Sequence, residues 1–109
     1  MSDFTMVGGD AKEIGIPVVD ETGAALNLTG YTVRWGLFSM AGAKLLEKST
    51  ATSGVAVDTP ASGEVLITLA PTDTAGRSGL YRHECEIIDT NSKPSTVLRG
   101  LVEIERGYL

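Results

Sequence analysis

A chain of 109 residues with 42% hydrophobic and 21% charged side chains, spread without long polar tracts, is one globular domain with a single modest core and not a disordered tail. Its formal charge of −5 and sequence pI near 4.7 argue against nucleic acid or an anionic membrane as partner, since the basic residues from Lys12 to Arg106 are scattered among acidic neighbours. One cysteine, Cys85, excludes an internal disulfide. With no basic-then-apolar leader, it predicts folding in a reducing cytoplasm, and no run approaches the roughly 18 apolar residues of a spanning helix.

The elements follow in chain order. Phe4 to Val7 reads as a short strand or an N-terminal arm within residues 1–9, broken by Gly8-Gly9. Lys12 to Val19 is a strand with Ile14, Ile16 and Val18 on one face, and Pro17, which has no amide to donate, places it at an edge or a bulge. Asp20 to Gly23 is a turn, and Leu26 and Leu28 tuck inward at a corner. Tyr31, Val33, Trp35 and Leu37 then alternate with Thr32, Arg34 and Gly36, the period-two signature of a half-buried strand. Trp35 is expected in the core.

Met40-Ala41-Gly42 closes a hairpin into Lys44 to Ser49, and Gly54 to Asp58 is a short strand. Thr59 to Gly63 is a turn by composition. Glu64 to Leu69 alternates, with Val65, Ile67 and Leu69 inward. Pro71 to Gly76 has proline at the start and glycine at the end of one helical turn. Gly79 to Asp89 is the longest clear strand, with Tyr81, Cys85 and Ile87 on one face and Arg82, Glu84 and Glu86 on the other. Thr96 to Arg106 closes the chain with Leu98, Val102 and Ile104 inward. About seven strands in a chain of this length predict an all-β, immunoglobulin-like antiparallel sandwich forming a single domain.

No catalytic constellation is visible, and the expectation is that the protein is not an enzyme. His83 stands alone and shares a strand face with Cys85, roughly 7 Å away. Zinc needs three or four ligands, so the pair reads as a packed strand face with a partly exposed imidazole. No serine lies in a nucleophile elbow. Asp20, Asp58, Asp73 and Asp89 all fall at turns, where turn chemistry accounts for them, although two adjacent loops leave room for a weak calcium site. No cofactor is expected.

Leu26-Asn27-Leu28-Thr29-Gly30-Tyr31-Thr32-Val33 is similar to the strand entry of small domains in tailed-bacteriophage and prophage structural proteins. Gly54-Val55-Ala56-Val57, Gly63-Glu64-Val65-Leu66-Ile67-Thr68-Leu69, Gly79-Leu80-Tyr81 and Thr96 to Val102 continue the pattern. Over residues 12–105 the chain resembles the N-terminal immunoglobulin-like domain of phage baseplate upper proteins. That resemblance implies a non-enzymatic virion or tail module, made in the bacterial cytoplasm and assembling with other phage structural proteins or with itself as a homo-oligomer. Proteins of that family continue into further domains, whereas this sequence ends at Leu109, which favours a small accessory component. A carbohydrate-binding, adhesin-like sandwich is the alternative. Apolar residues on nominal outer faces and in the N-terminal segment, namely Leu45, Leu66, Leu80, Leu101, Phe4 and Val7, are the candidate interface.

Overall fold

The computed structural model describes residues 4–108, so Met1 to Asp3 of the expected N-terminal arm and Leu109 lie outside the described residues. Eight strands form the domain: β1 Phe4–Val7, β2 Lys12–Pro17, β3 Thr32–Phe38, β4 Lys44–Ser49, β5 Val55–Ala56, β6 Glu64–Leu69, β7 Gly79–Ile88 and β8 Pro94–Glu105. A 3-10 turn at Pro60–Ser62 and one helical turn, α1 at Pro71–Thr74, are the helical pieces. The strands pair into a five-stranded sheet of order β1-β8-β7-β3-β4 and a three-stranded sheet of order β2-β6-β5. This is the all-β sandwich that the alternation predicts.

Inward residues from both sheets meet in one core. Val33, Trp35 and Leu37 of β3, Cys85 and Ile87 of β7, and Val102 and Ile104 of β8 face Ile16 of β2 and Val65, Ile67 and Leu69 of β6, all 5% exposed or less. Leu28 at the corner is 3% exposed, so the inward tuck expected there is present. Burying side chains of this size contributes roughly 1.5–3 kcal/mol each relative to exposure.

Three expectations are refined. All sheet pairs are antiparallel except β1–β8, which runs parallel with Phe4 opposite Val102 and Met6 opposite Ile104. Phe4 to Val7 is therefore a paired strand and not a free arm, because Met6, 6% exposed, belongs to the core. The first long strand stops at Pro17, and Val19, 57% exposed, makes only an isolated bridge to Ala25.

The four edges are β1 and β4 of one sheet and β2 and β5 of the other. Each is blunted. Among the described residues β1 has four residues and β5 two. Pro17 ends β2, which lies at an edge as the missing amide implies. β4 is bulged where the register slips past Leu45, and it carries Lys44 and Lys48. Short, bulged, charged or proline-bearing edges resist strand addition. What the fold leaves open is a sheet face.

Candidate recognition face

Sheet register decides which side chains share a face. In the five-stranded sheet, Arg34 lies opposite Glu86, Gly36 opposite Glu84 and Phe38 opposite Arg82 across β3–β7. Across β7–β8, Leu80 lies opposite Glu103, Arg82 opposite Leu101 and Glu84 opposite Arg99. These residues alternate with the buried ones, so they form the outer face.

Charged side chains fill one half of that face. Arg34 reaches Glu47 at 3.1 Å and Glu86 at 3.3 Å, and Lys44 reaches Glu47 at 2.8 Å. The hydrogen bond from Arg34, then that from Lys44, hold the Glu47 carboxyl down to about 2. Glu47 in turn raises the Arg34 guanidinium above its usual value. The phenyl ring of Phe38 lies over Gly36, where an added Cβ would stand 2.9 Å from the ring.

Beyond Phe38 the character changes. A cleft of about 530 Å³ opens between the turn at Met40-Ala41-Gly42 and strands β7 and β8, with Phe38, Arg82, Glu84 and Arg99 on its walls. Arg82 donates from Nε to the Met40 carbonyl at 3.3 Å, and Arg99 from Nε to Glu84 at 2.8 Å. Met40 is 42% exposed and Leu80 44% exposed, and half-buried Leu101 lies opposite Arg82, diagonal to Leu80.

The six candidate interface residues separate on this frame. Leu80 and Leu101 come together on the outer face of the five-stranded sheet. Leu66 faces outward from the other sheet, opposite Gly15 and Ala56, on the far side of the sandwich. Leu45 is half-buried at the β4 bulge, and Val7 lies opposite Glu105 at the β1 edge. Phe4 turns inward instead, its ring 5.3 Å from His83 in an edge-on contact, with the Lys12 ammonium 5.7 Å from its centroid. Its place in the core margin follows from the β1–β8 register, which no local pattern encodes. Sequence reasoning missed Phe38, Met40 and Arg99. The outward parity of Arg82 and Glu84 was visible, but what stands beside them depends on the β7–β8 register, which shifts at a bulge near Cys85.

His83 and Cys85 face inward. His83 is 1% exposed, against the expectation of a partly exposed imidazole, and the Trp35 indole donates from Nε1 to its Nδ1 at 3.1 Å. Burial, and secondarily the Glu86 charge, push the Cys85 thiol up to about 12, so it is a protonated core group at neutral pH. Among the described residues no three of His, Cys, Asp and Glu come close enough to hold a metal ion. Three of the four turn aspartates are engaged locally: Asp20 and Asp89 accept hydrogen bonds within their own turns, and Asp73 is taken by Lys48 and the Ala70 amide.

No protein-family model matches the chain, and no curated protein matches it. Among solved structures, the chain is similar in fold to CopC. The match is to CopC from Methylosinus trichosporium OB3b, with a TM-score of 0.58 and 7% identity, covering 100% of this chain and 89% of that one. Identity this low speaks to the fold alone. It nevertheless corrects the functional expectation drawn from the strand signatures. The sandwich they describe is shared with CopC at 7% identity, so they report architecture and not a virion setting. The virion or tail role is withdrawn, and the carbohydrate-binding alternative goes with it.

Proposed function

We propose that this chain is a non-catalytic protein-binding domain that associates with a second copy of itself through the outer face of the five-stranded sheet. The observation that carries the reading is the composition of that face. Arg34, Lys44, Arg82 and Arg99 nearly balance Glu47, Glu84, Glu86, Glu103 and Glu105, on a chain whose net charge is −5. Two copies therefore repel least when they approach through this face, and each brings both signs of charge, as a self-complementary two-fold contact requires. Leu80, Leu101 and Met40 supply apolar surface towards one end of it, with Met40 on the cleft wall. The blunted edges support a face-to-face contact over strand addition. The non-catalytic part of the reading is supported by the chemistry of His83 and Cys85, both withdrawn into the core.

Sedimentation velocity at rising concentration tests this. The expected result is a monomer–dimer equilibrium, shifted to monomer by Leu101→Asp or by Arg82→Glu with the melting temperature preserved. A wild-type chain that stays monomeric up to millimolar concentration, or a dimer indifferent to both substitutions, overturns the reading.

A further inference from the structure

At one end of the sandwich, away from the sheet face, a second cleft of about 340 Å³ lies where the β1–β2 turn, the segment after α1 and the end of β8 meet. Arg77 and Arg106 line it together with Gly8, Gly76, Ser78 and Gly107, and no carboxylate is among its walls. In a chain with 14 acidic and nine basic residues, two arginines without an acid between them is a departure that needs a reason. None of the ion pairs among the described residues involves either arginine. Nearby Asp73 is committed elsewhere, to Lys48 at 2.8 Å and the Ala70 amide at 2.7 Å. Arg99 on the sheet face differs, since it already holds Glu84.

The walls are shaped by backbone. A Cβ at Gly8 would stand 2.8 Å from the Arg77 carbonyl and 3.0 Å from that of Thr74, and a Cβ at Gly107 would stand 2.9 Å from the Gly8 carbonyl. Only glycine lets these segments close on one another. Arg77 is held by its Nε, which donates to the Asp73 carbonyl at 3.2 Å, leaving its terminal nitrogens uncommitted among the described residues. The amides of Gly76 and Ser78, at the same cleft, donate to no protein group among the described residues. Guanidinium forks and open amides are the donor set that recognises a tetrahedral oxyanion.

We infer that this end cleft binds a phosphate group, free or as the monoester of a small molecule, through Arg77 and Arg106 with main-chain amides of the 76–78 segment. Amide-resolved NMR titration of the full chain tests it, using inorganic phosphate and phenyl phosphate at constant ionic strength, with sodium chloride as the control. The expected result is saturable shifts at Gly76, Ser78 and Gly107 with either phosphate and none with chloride. Arg106→Ala, at an exposed position that leaves folding intact, should weaken binding about tenfold, the effect of one lost charge-assisted contact. Arg77→Gln should do the same, and Lys93→Ala, in the exposed turn after β7 and outside both clefts, should leave phosphate binding unchanged. Tighter binding of phenyl phosphate identifies an ester as the ligand, and equal or weaker binding identifies the free anion. Shifts that chloride reproduces, shifts that do not saturate, or an affinity unmoved by Arg106→Ala overturn the inference.

Discussion

The indole nitrogen of Trp35 donates to Nδ1 of His83 across the β3–β7 pair, 3.1 Å apart, in a core where both side chains are 1% exposed. Each is the other's polar solution, because a buried indole N–H needs an acceptor and an accepting Nδ1 carries no proton. Trp35 lies opposite Cys85 and Leu37 opposite His83, so the bond runs diagonally between neighbouring positions on the inner face. Trp35→Ala is expected to lower stability by about 3–5 kcal/mol, the range for a large aromatic removed from a core. Trp35→Phe keeps most of the volume but removes the indole hydrogen bond to Nδ1, at about 1–3 kcal/mol. Urea denaturation of the two variants separates packing from hydrogen bonding, and a Trp35→Ala variant as stable as the parent would sink the assignment.

A second pair ties the sheet to the connection after β6. Lys48 Nζ lies 2.8 Å from Asp73 Oδ2, with the two side chains 15% and 12% exposed, and the same oxygen accepts from the Ala70 amide at 2.7 Å. Asp73→Ala strands a largely buried ammonium and uncaps α1, so a loss of about 2–4 kcal/mol is expected. Lys48→Met should cost less, since the carboxylate keeps its amide donor while an apolar chain fills the space. Thermal or chemical denaturation that ranks the two the other way round would show that the ion pair does not anchor this turn.

Much of the fold was legible because it is local. The hairpin turn at Met40-Ala41-Gly42 placed Lys44–Ser49 and alternation placed Glu64–Leu69, both to the residue, Pro17 marked an edge strand, and Pro71 opened the single helical turn. What escaped depends on distant register. The parallel pairing of Phe4 with Val102 joins opposite ends of the sequence and leaves no periodic trace. The burial of His83 escaped too, since Trp35, which donates to its Nδ1, is 48 positions away. The recognition face and the end cleft were illegible for the same reason. Arg82 and Arg99, or Arg77 and Arg106, become neighbours only once bulges and connections fix how the segments align.

Acid titration should reveal the charged half of the sheet face. Glu47 has its carboxyl lowered from 4.5 to about 2 by the hydrogen bonds from Arg34 and Lys44. A depressed folded value contributes stability that is fully present above the unfolded value and is lost as pH falls through the folded one. The side chain is 35% exposed, so screening limits the contribution to about 0.2–1 kcal/mol. Glu47→Gln should therefore be slightly less stable than the parent at pH 6. The gap should shrink below about pH 4.5 and close near pH 2. Urea unfolding across that range at low salt checks it, and a gap independent of pH would refute the network's contribution.

His83 and Cys85 are the side chains a metal would ordinarily choose. Both are spoken for. A thiol pushed up to about 12 is not a thiolate at neutral pH, and only the thiolate is a good ligand. An Nδ1 that accepts from Trp35 has its lone pair occupied, and turning the ring outward would break the core bond. Two ligands would in any case fall short of the three or four that a closed site needs. The expected outcome, after incubation with copper or zinc and exhaustive dialysis, is that no stoichiometric metal is retained through this pair. Cys85→Val, which conserves the packing, should leave metal content and melting temperature nearly unchanged. One metal ion per chain, lost in Cys85→Val, would reverse the conclusion, because it would require β7 to open its inner face to solvent.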